Sequence, residues 1–342
     1  NSQEMLGLTT MDAVSLYKTL SNLARDNYDF VALEASSHGV DQGRIGLLKF
    51  DVAIFTSFSQ DHLDYHKNLE HYYASKLKLF TEHLKPQSLA IISQQVALKT
   101  SIEDNLTQHK ISYINVGKDS LFSTKNLTNK QEIELVHNGK TYKFSSSIIG
   151  SFQLSNLIQA ALAVENCGIS LNEIVEILPQ IKAPKGRLEK ITQEDSAFDV
   201  FIDYAHTPDA LELTLKTLRT IVPKDGRLLV LFGCGGDRDK EKRPIMGQIA
   251  SSIADVVIIT DDNPRSENAK EIRAQILSQT SNAIEIEGRE IAIDFIIKHA
   301  KTGDVLVIAG KGHENYQIIG DKKYDFSDEL EVLKCMKIRN LR

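Results

Sequence analysis

The second half of the chain carries five strand-like runs, residues 200–204, 227–233, 254–260, 284–287 and 305–309, separated by stretches with helical periodicity. This alternation constrains the fold more than any other feature. A run that is apolar nearly throughout, such as 227–233 (RLLVLFG) or 305–309 (VLVIA), must be covered on both faces. Helices that connect successive parallel strands supply that cover. The helix expected at 208–221 shows how: Leu211, Leu215 and Leu218 recur at i, i+4 and i+7 and form one apolar face. Thr207 is its candidate N-cap, and Pro208 fits the first turn. The expectation is a doubly wound α/β domain over residues 183–342.

The first half repeats the pattern less regularly. Strands are expected at 30–35, 51–57 and 89–93, and helices at 11–27, 69–84 and 153–165. Residues 101–147 are polar and rich in Asn, Lys and Thr. Within them, 132–136 and 141–144 flank Asn138-Gly139, a pair suited to a two-residue hairpin turn. This segment reads as a small antiparallel excursion without a catalytic role. Pro184 and Gly186 interrupt the periodicity, so a boundary is expected there, giving domains 1–182 and 183–342. A chain of 342 residues is long enough for two full cores.

Charge narrows the partners. The net charge of −6 favours neither nucleic acid nor an anionic membrane surface. Cys167, Cys234 and Cys335 are odd in number, far apart and form no CxxC pair, which points to a reducing cytoplasm. No run of eighteen apolar residues and no signal peptide is present. The expected setting is cytoplasmic, the expected partners are small molecules, and the expected state is a monomer. The chain opens at Asn1 in an ordinary polar stretch, which reads as a cut.

Polar clusters follow the expected strand ends, where ligands bind in open α/β sheets. Glu34-Ala35-Ser36-Ser37-His38-Gly39 leads to Gln42 and Arg44; its carboxylate suits Mg²⁺, and the others suit an anion. Residues 59–66 (SQDHLDYH) hold two His and two Asp, a metal or phosphate pattern but not a zinc signature, and Lys76 follows on the next helix. Asp203-Tyr204-Ala205-His206 stands at a strand-to-helix junction suited to a nucleotide. Gly233-Cys234-Gly235-Gly236-Asp237-Arg238 would let backbone approach a ligand. Asp261-Asp262-Asn263-Pro264-Arg265 offers a guanidinium fork that pairs with a carboxylate through two bonds. Gly310-Lys311-Gly312-His313-Glu314 completes the set. Taken singly, each also reads as a capped or glycine-turned surface loop.

Together the segments resemble the Mur ligase family. The matching pieces are TTMDAV, EASSHGVDQGR, SFSQDHLDYH, YYASKLKLF, GSFQLSN, GRLE, DYAHTPDAL, FGCGGDRDKEKRP, DDNPR and AGKGHENYQ, in order from Thr9 to Gln317. The resemblance implies a central ATPase domain, truncated at its start, followed by a Rossmann-like C-terminal domain. It implies an ATP-dependent amide ligase that adds meso-diaminopimelate to the D-Glu γ-carboxylate of UDP-N-acetylmuramoyl-L-Ala-D-Glu through an acyl phosphate, in peptidoglycan synthesis. By position it implies Glu34 and His62 as Mg²⁺ ligands and Lys76 as a carbamylated lysine. Thr9, Thr10, Ser36, Gln42 and Arg44 would contact the muramyl nucleotide. Asn156, Arg187, Asp203 and His206 would contact ATP, and Arg238, Asn263, Arg265, Gly310 and Glu314 diaminopimelate.

Two departures qualify the match. No GxxxxGK[ST] loop occurs in the chain. The family's phosphate loop and uridine-binding domain are expected upstream of Asn1, and the 342 residues alone are expected to show little ligase activity. Gln153 stands where the family usually carries Asn, and Ser93-Gln94-Gln95 replaces a more acidic run. The alternatives are a lysine-adding ligase, folylpolyglutamate or cyanophycin synthetase, and a non-catalytic nucleotide-binding module. Arg265 argues against lysine addition, and the EASSHGVDQGR segment argues against the two synthetases.

Overall fold

The structure is a computed structural model that describes residues 8–58, 62, 65–96, 98–118, 120–126, 130–192 and 196–340. The chain divides into two compact units, residues 1–146 with 151–180, and 147–150 with 181–342. The first contains helices α1 (Ala13–Arg25), α2 (Ser37–Asp41), α3 (Leu69–Thr81), α4 (Lys99–Gln108), α5 (Ser151–Asn166) and α6 (Leu171–Ile177). Its strands are β1 (Phe50–Phe55), β2 (Leu84–Ser93), β3 (Ser112–Val116), β4 (Phe122–Asn126), β5 (Gln131–His137) and β6 (Lys140–Ser146). Strands β1, β2 and β3 form a parallel sheet in that order. Ala53 and Phe55 of β1 and Ala90 and Ile92 of β2 pack with Phe80, Ile102 and Leu106 from α3 and α4.

The strand expected at 30–35 does not form among the described residues. Among the described residues no neighbouring strand pairs with it. Phe30 and Val31 are 57% and 51% exposed. A cavity of about 840 Å³ is lined by Phe30, Val31 and Leu33 and also by Val52, Ile54 and Phe55 of β1. An apolar run becomes a strand only when a neighbouring backbone takes up its N–H and C=O groups. The polar stretch after residue 100 is richer than the sequence suggested. Its hairpin, β5 and β6 around Asn138-Gly139, gains β4 as a third antiparallel strand. It also opens with α4, whose buried Ile102 and Leu106 are spaced i, i+4 within polar residues, and with β3, which depends on β2 for its ladder.

The second unit contains β7 (Glu189–Lys190), β8 (Asp199–Asp203), α7 (Pro208–Arg219), β9 (Leu228–Phe232), α8 (Lys242–Ile253), β10 (Val256–Ile259), α9 (Ala269–Leu277), β11 (Ala283–Glu285), α10 (Arg289–His299), β12 (Val305–Ala309), β13 (Tyr316–Ile319), β14 (Lys322–Asp325) and α11 (Asp328–Asn340). The sheet order is β11-β10-β9-β12-β8-β7, parallel except for the short β7. Every residue of β9 and β12 is buried, as two-sided cover requires. Val200, Leu229, Leu231, Ile258, Leu306 and Ile308 meet Ile293, Ile296 and Ile297 of α10 and Val332 of α11 on one face. Thr207 caps α7 by accepting from Ala210 N, and Pro208 opens the helix. The chain runs outward from β9 to β10 and β11, then returns to place β12 between β9 and β8. This reversal is the switch point at which α/β sheets form ligand crevices. No helix among the described residues is long and apolar enough to cross a membrane.

Candidate functional site

In the first unit the cavity beside β1 gathers Thr9, Glu34, Ser36, His62 and Lys76. Gln42 and Arg44 do not line it. Ser36 ends the extended segment and caps α2, its Oγ accepting from Gly39 N at 3.1 Å. Buried Thr10 ties the segment down: its hydroxyl donates to Glu34 O at 2.8 Å and accepts from Ser36 N at 2.9 Å. Arg44 donates to Thr10 O through Nη1 and to Gln42 Oε1 through Nε, both at 2.9 Å. Lys76 Nζ lies 4.9 Å from the Tyr72 ring centroid. Glu34 and His62 are solvent-exposed. Of the 59–66 cluster, Asp61 and Asp64 lie outside the described residues. Asn156 sits on the exposed side of α5.

In the second unit, four clusters follow the carboxyl ends of β8, β9, β10 and β12. After β8, Tyr204 forms an aromatic platform, with the Arg187 guanidinium 4.5 Å from its centroid and the His206 and His313 rings at 4.7 and 5.5 Å. Burial pushes the Tyr204 phenol up and keeps it neutral. Such a stack suits a planar base. Asp203 is buried, and burial pushes its carboxyl up. Its oxygens accept from Leu188 N at 3.0 Å and from the Thr214 hydroxyl. Asp203 therefore braces the turn that presents Arg187. The Lys242 ammonium donates to His206 O at 2.8 Å.

The loops after β9, β10 and β12 interlock. Arg265 has φ +51°, a left-handed conformation uncommon for a side-chain-bearing residue. A backbone clamp holds it there: Arg265 N donates to Ile318 O at 3.1 Å, and Gly320 N donates to Arg265 O at 2.8 Å. Its Nη1 donates to Gly236 O at 2.7 Å, which aims the fork along the glycine loop. Arg238 on that loop is exposed. Gly310 has φ +111°, and a Cβ there would meet Asp262 Oδ2 at 3.0 Å, so the position is reserved for glycine.

Asn263 is 2% exposed, and both polar atoms of its amide have partners. Nδ2 donates to Glu314 Oε2 at 3.0 Å, while Oδ1 accepts from Lys311 Nζ at 3.2 Å and Ile318 N at 3.0 Å. Lys311, completely buried, also reaches Glu314 Oε2 at 3.0 Å. Asn263 thus positions Glu314 rather than standing open to solvent. Cys234, in the glycine loop, is buried, and burial pushes its thiol up to about 12, which disfavours the thiolate.

Sequence reading assigned no role to Lys311, Thr214 or Tyr204. Lys311 stands three residues before Glu314 in a motif already singled out, so its pairing had a local signal. Thr214 had none, because only the fold brings it to Asp203.

The Mur ligase middle domain family matches residues 3–164, and the Mur ligase glutamate ligase domain family matches residues 186–312. A UDP-N-acetylmuramoyl-L-alanyl-D-glutamate–2,6-diaminopimelate ligase of Rickettsia conorii is 47% identical over 336 residues, 97% of this chain and 69% of that protein. The ligase of the same name from Zymomonas mobilis is 43% identical over 319 residues, 92% of this chain and 65% of that protein. A solved structure of a ligase of that name aligns with TM-score 0.63 and 34% identity, covering 96% of this chain and 69% of the other. The MurF ligase of Thermotoga maritima in complex with ADP aligns with TM-score 0.65 at 15% identity, covering 90% of this chain and 66% of the other, and shares the fold.

Proposed function

Because the chain belongs to the Mur ligase family, we propose that it is the amino-acid-adding part of an ATP-dependent ligase that joins meso-diaminopimelate to UDP-N-acetylmuramoyl-L-Ala-D-Glu in peptidoglycan synthesis. A carboxylate is a poor electrophile. Transfer of the ATP γ-phosphoryl group to the D-Glu γ-carboxylate forms a C–O–P linkage and releases ADP. The diaminopimelate amine then attacks the acyl carbon, the amide bond forms and phosphate leaves with the C–O electron pair. The names of the relatives and the ADP-bound neighbour support this reading.

One observation carries the specificity. Arg265 presents a fixed cationic fork, and Glu314 presents a carboxylate held by buried Lys311 and Asn263. The far end of diaminopimelate is a second amino-acid group, with one carboxylate and one ammonium. Arg265, helped by Arg238, would take the carboxylate; Glu314 and the backbone of Gly310 would take the ammonium. Lysine lacks the distal carboxylate and would leave the Arg unpaired, at a cost on the order of 2–5 kcal/mol.

Arg187, Tyr204 and His206 would hold ATP, with Asp203 bracing their turn; Asn156 is an ATP contact by family resemblance alone. Thr9, Thr10, Ser36, Gln42 and Arg44 would meet the muramyl nucleotide. Glu34 and His62 would hold Mg²⁺, which when bound offsets charge on the transferring phosphoryl group. Their donor set suits that ion once Lys76 is carbamylated, because the carbamate turns a repelling ammonium into an oxygen ligand. The same reading makes the protein a cytoplasmic monomer. It also makes turnover dependent on a phosphate-binding loop that these 342 residues do not contain.

Binding is therefore a sharper test than turnover. Calorimetry should show meso-diaminopimelate binding to this chain, L-lysine binding at least tenfold more weakly, and Arg265→Ala removing the difference. Lysine binding as tightly as diaminopimelate would overturn the specificity while leaving the family intact.

A further inference from the structure

Four of the ten histidines in the chain, His38, His62, His66 and His71, converge beside α2, and the ligase reading uses only His62. Ring centroids are 4.9 Å apart for His38 and His62, 5.4 Å for His38 and His66, and 5.1 Å for His66 and His71. His66 is fully buried, yet its two nitrogens face a hydroxyl and another imidazole: Nε2 lies 2.9 Å from Ser37 Oγ, and Nδ1 lies 3.2 Å from His71 Nδ1. One ligand atom from each of Asp41, His66 and His71 lies within 4.8 Å of the other two. We propose that these three side chains form a site for a borderline divalent cation of the Zn²⁺ or Co²⁺ class, which clasps the end of α2 to the first turn of α3.

The donor chemistry supports this choice. Two imidazoles and one carboxylate suit zinc-like ions, whereas Mg²⁺ prefers a shell made mostly of oxygen. Zinc–nitrogen bonds of about 2.0–2.1 Å set two nitrogens of a tetrahedral ion ~3.3 Å apart. The His66 Nδ1–His71 Nδ1 separation of 3.2 Å nearly matches that edge; Asp41 Oδ1 lies 3.7 Å from His71 Nε2, so its carboxylate shifts towards the two Nδ1 atoms to complete the set. Without metal the same spacing is an N–H···N hydrogen bond, so the ion replaces one shared proton. Ligation through His66 Nδ1 leaves the proton on Nε2, where Ser37 Oγ accepts it, the outer-shell bond that orients a metal-bound imidazole. His71 is 39% exposed, which gives the ion an entry path. Lys78 Nζ lies 3.4 Å from Asp41 Oδ1 and is 40% exposed; it would swing into solvent as the ion takes over its charge. Tyr65 donates to Asp41 Oδ2 at 3.0 Å and holds the carboxylate in place.

The test is a titration of the full 342-residue chain with Co²⁺ in a large excess of Mg²⁺, followed by the visible absorption of tetrahedral cobalt. One equivalent should bind, and Zn²⁺ should displace it. His71→Gln and Asp41→Asn should weaken binding at least tenfold, while His62→Ala should leave it unchanged. Circular dichroism checks that each variant is folded. In the wild-type chain, paramagnetic shifts should fall first on the ring protons of His66 and His71, a readout that needs no variant. Absence of the cobalt bands, their loss in His62→Ala with retention in His71→Gln, or shifts centred on His62 would each overturn the proposal.

Discussion

Strands β9 and β12 of the second unit are buried at every residue, whereas β1 of the first unit buries only Ala53 and Phe55 and has its unpaired edge beside a cavity of about 840 Å³. The same contrast appears in charge. The second unit buries Arg243, Arg273, Arg289 and Lys311 together with Asp203, Asp262, Asp304 and Asp328. Among the described residues of the first unit, no Lys, Arg, Asp or Glu is buried. A buried charge is tolerated only with a partner in good geometry, so each such pair selects one arrangement of the loops it joins. The proposed amino-acid site therefore stands on loops with a single defined shape. Beside β1, Thr10 and the backbone of Glu34 and Ser36 hold one another through neutral hydrogen bonds.

The largest expected effect tests whether those buried pairs carry the contrast. Arg289 and Asp328 are both inaccessible, and Arg289 Nε donates to Asp328 Oδ1 at 2.7 Å, joining α10 to α11. Arg289→Met leaves an unpaired buried carboxylate and should destabilise the second unit by about 3–5 kcal/mol in denaturant unfolding. Adding Asp328→Leu should restore most of the loss; no recovery would mean that packing, not charge, is at stake.

Acid should discriminate next. The Arg243 guanidinium, bonded twice to the Glu267 carboxylate, lowers the Glu267 pKa to about 2 from an ordinary 4.5. A depressed carboxylate contributes stability above its unfolded pKa and loses it as pH falls towards the folded value. Glu267 is 15% exposed, so little solvent discount applies. The second unit should lose up to about 3 kcal/mol between pH ~5 and ~2 from this group, and Glu267→Gln should flatten that part of the stability–pH curve. An unchanged curve in the variant would assign the acid limb to other carboxylates.

Smaller changes probe the first unit. Ser170 and Glu173 form a capping box at the start of α6, so Ser170→Ala should cost about 1 kcal/mol. Hydrogen exchange should show the loss in the first unit only. A matching loss in β9 amides would show that the two units open together, which breaks the comparison. At the bottom of the scale, Lys85 and Asp51 form an exposed pair at 2.7 Å. Lys85→Ala should change stability by no more than about 0.5 kcal/mol.

Much of the second unit was legible in the sequence because its strands are apolar runs that end in glycine or acidic turns. The strand at 305–309 is observed at those residues, and the helix expected at 208–221 ends two residues sooner. In the first unit the same reasoning produced a strand at 30–35 that does not form and overlooked α4 and β3. An apolar run marks a wish for burial; the ladder must come from elsewhere. Candidate site residues were found where a motif held them together in sequence, as in DDNPR and AGKGHE. Their division of labour was not. Asn263 was expected to contact diaminopimelate, and only the fold showed that its amide joins Glu314, Lys311 and Ile318.

The amino-acid pattern by itself determined the α/β class, the polar turns after the strands and the order of the motifs. These follow from periodicity and local turn chemistry, which are properties of short windows. Only the tertiary structure decided which strands found partners, which buried cation answers which carboxylate, and that Asp41, His66 and His71 face one another. Hydrogen-bond ladders and charge pairs join residues far apart in the chain, and their energy depends on distance and burial, which exist only once the chain has folded.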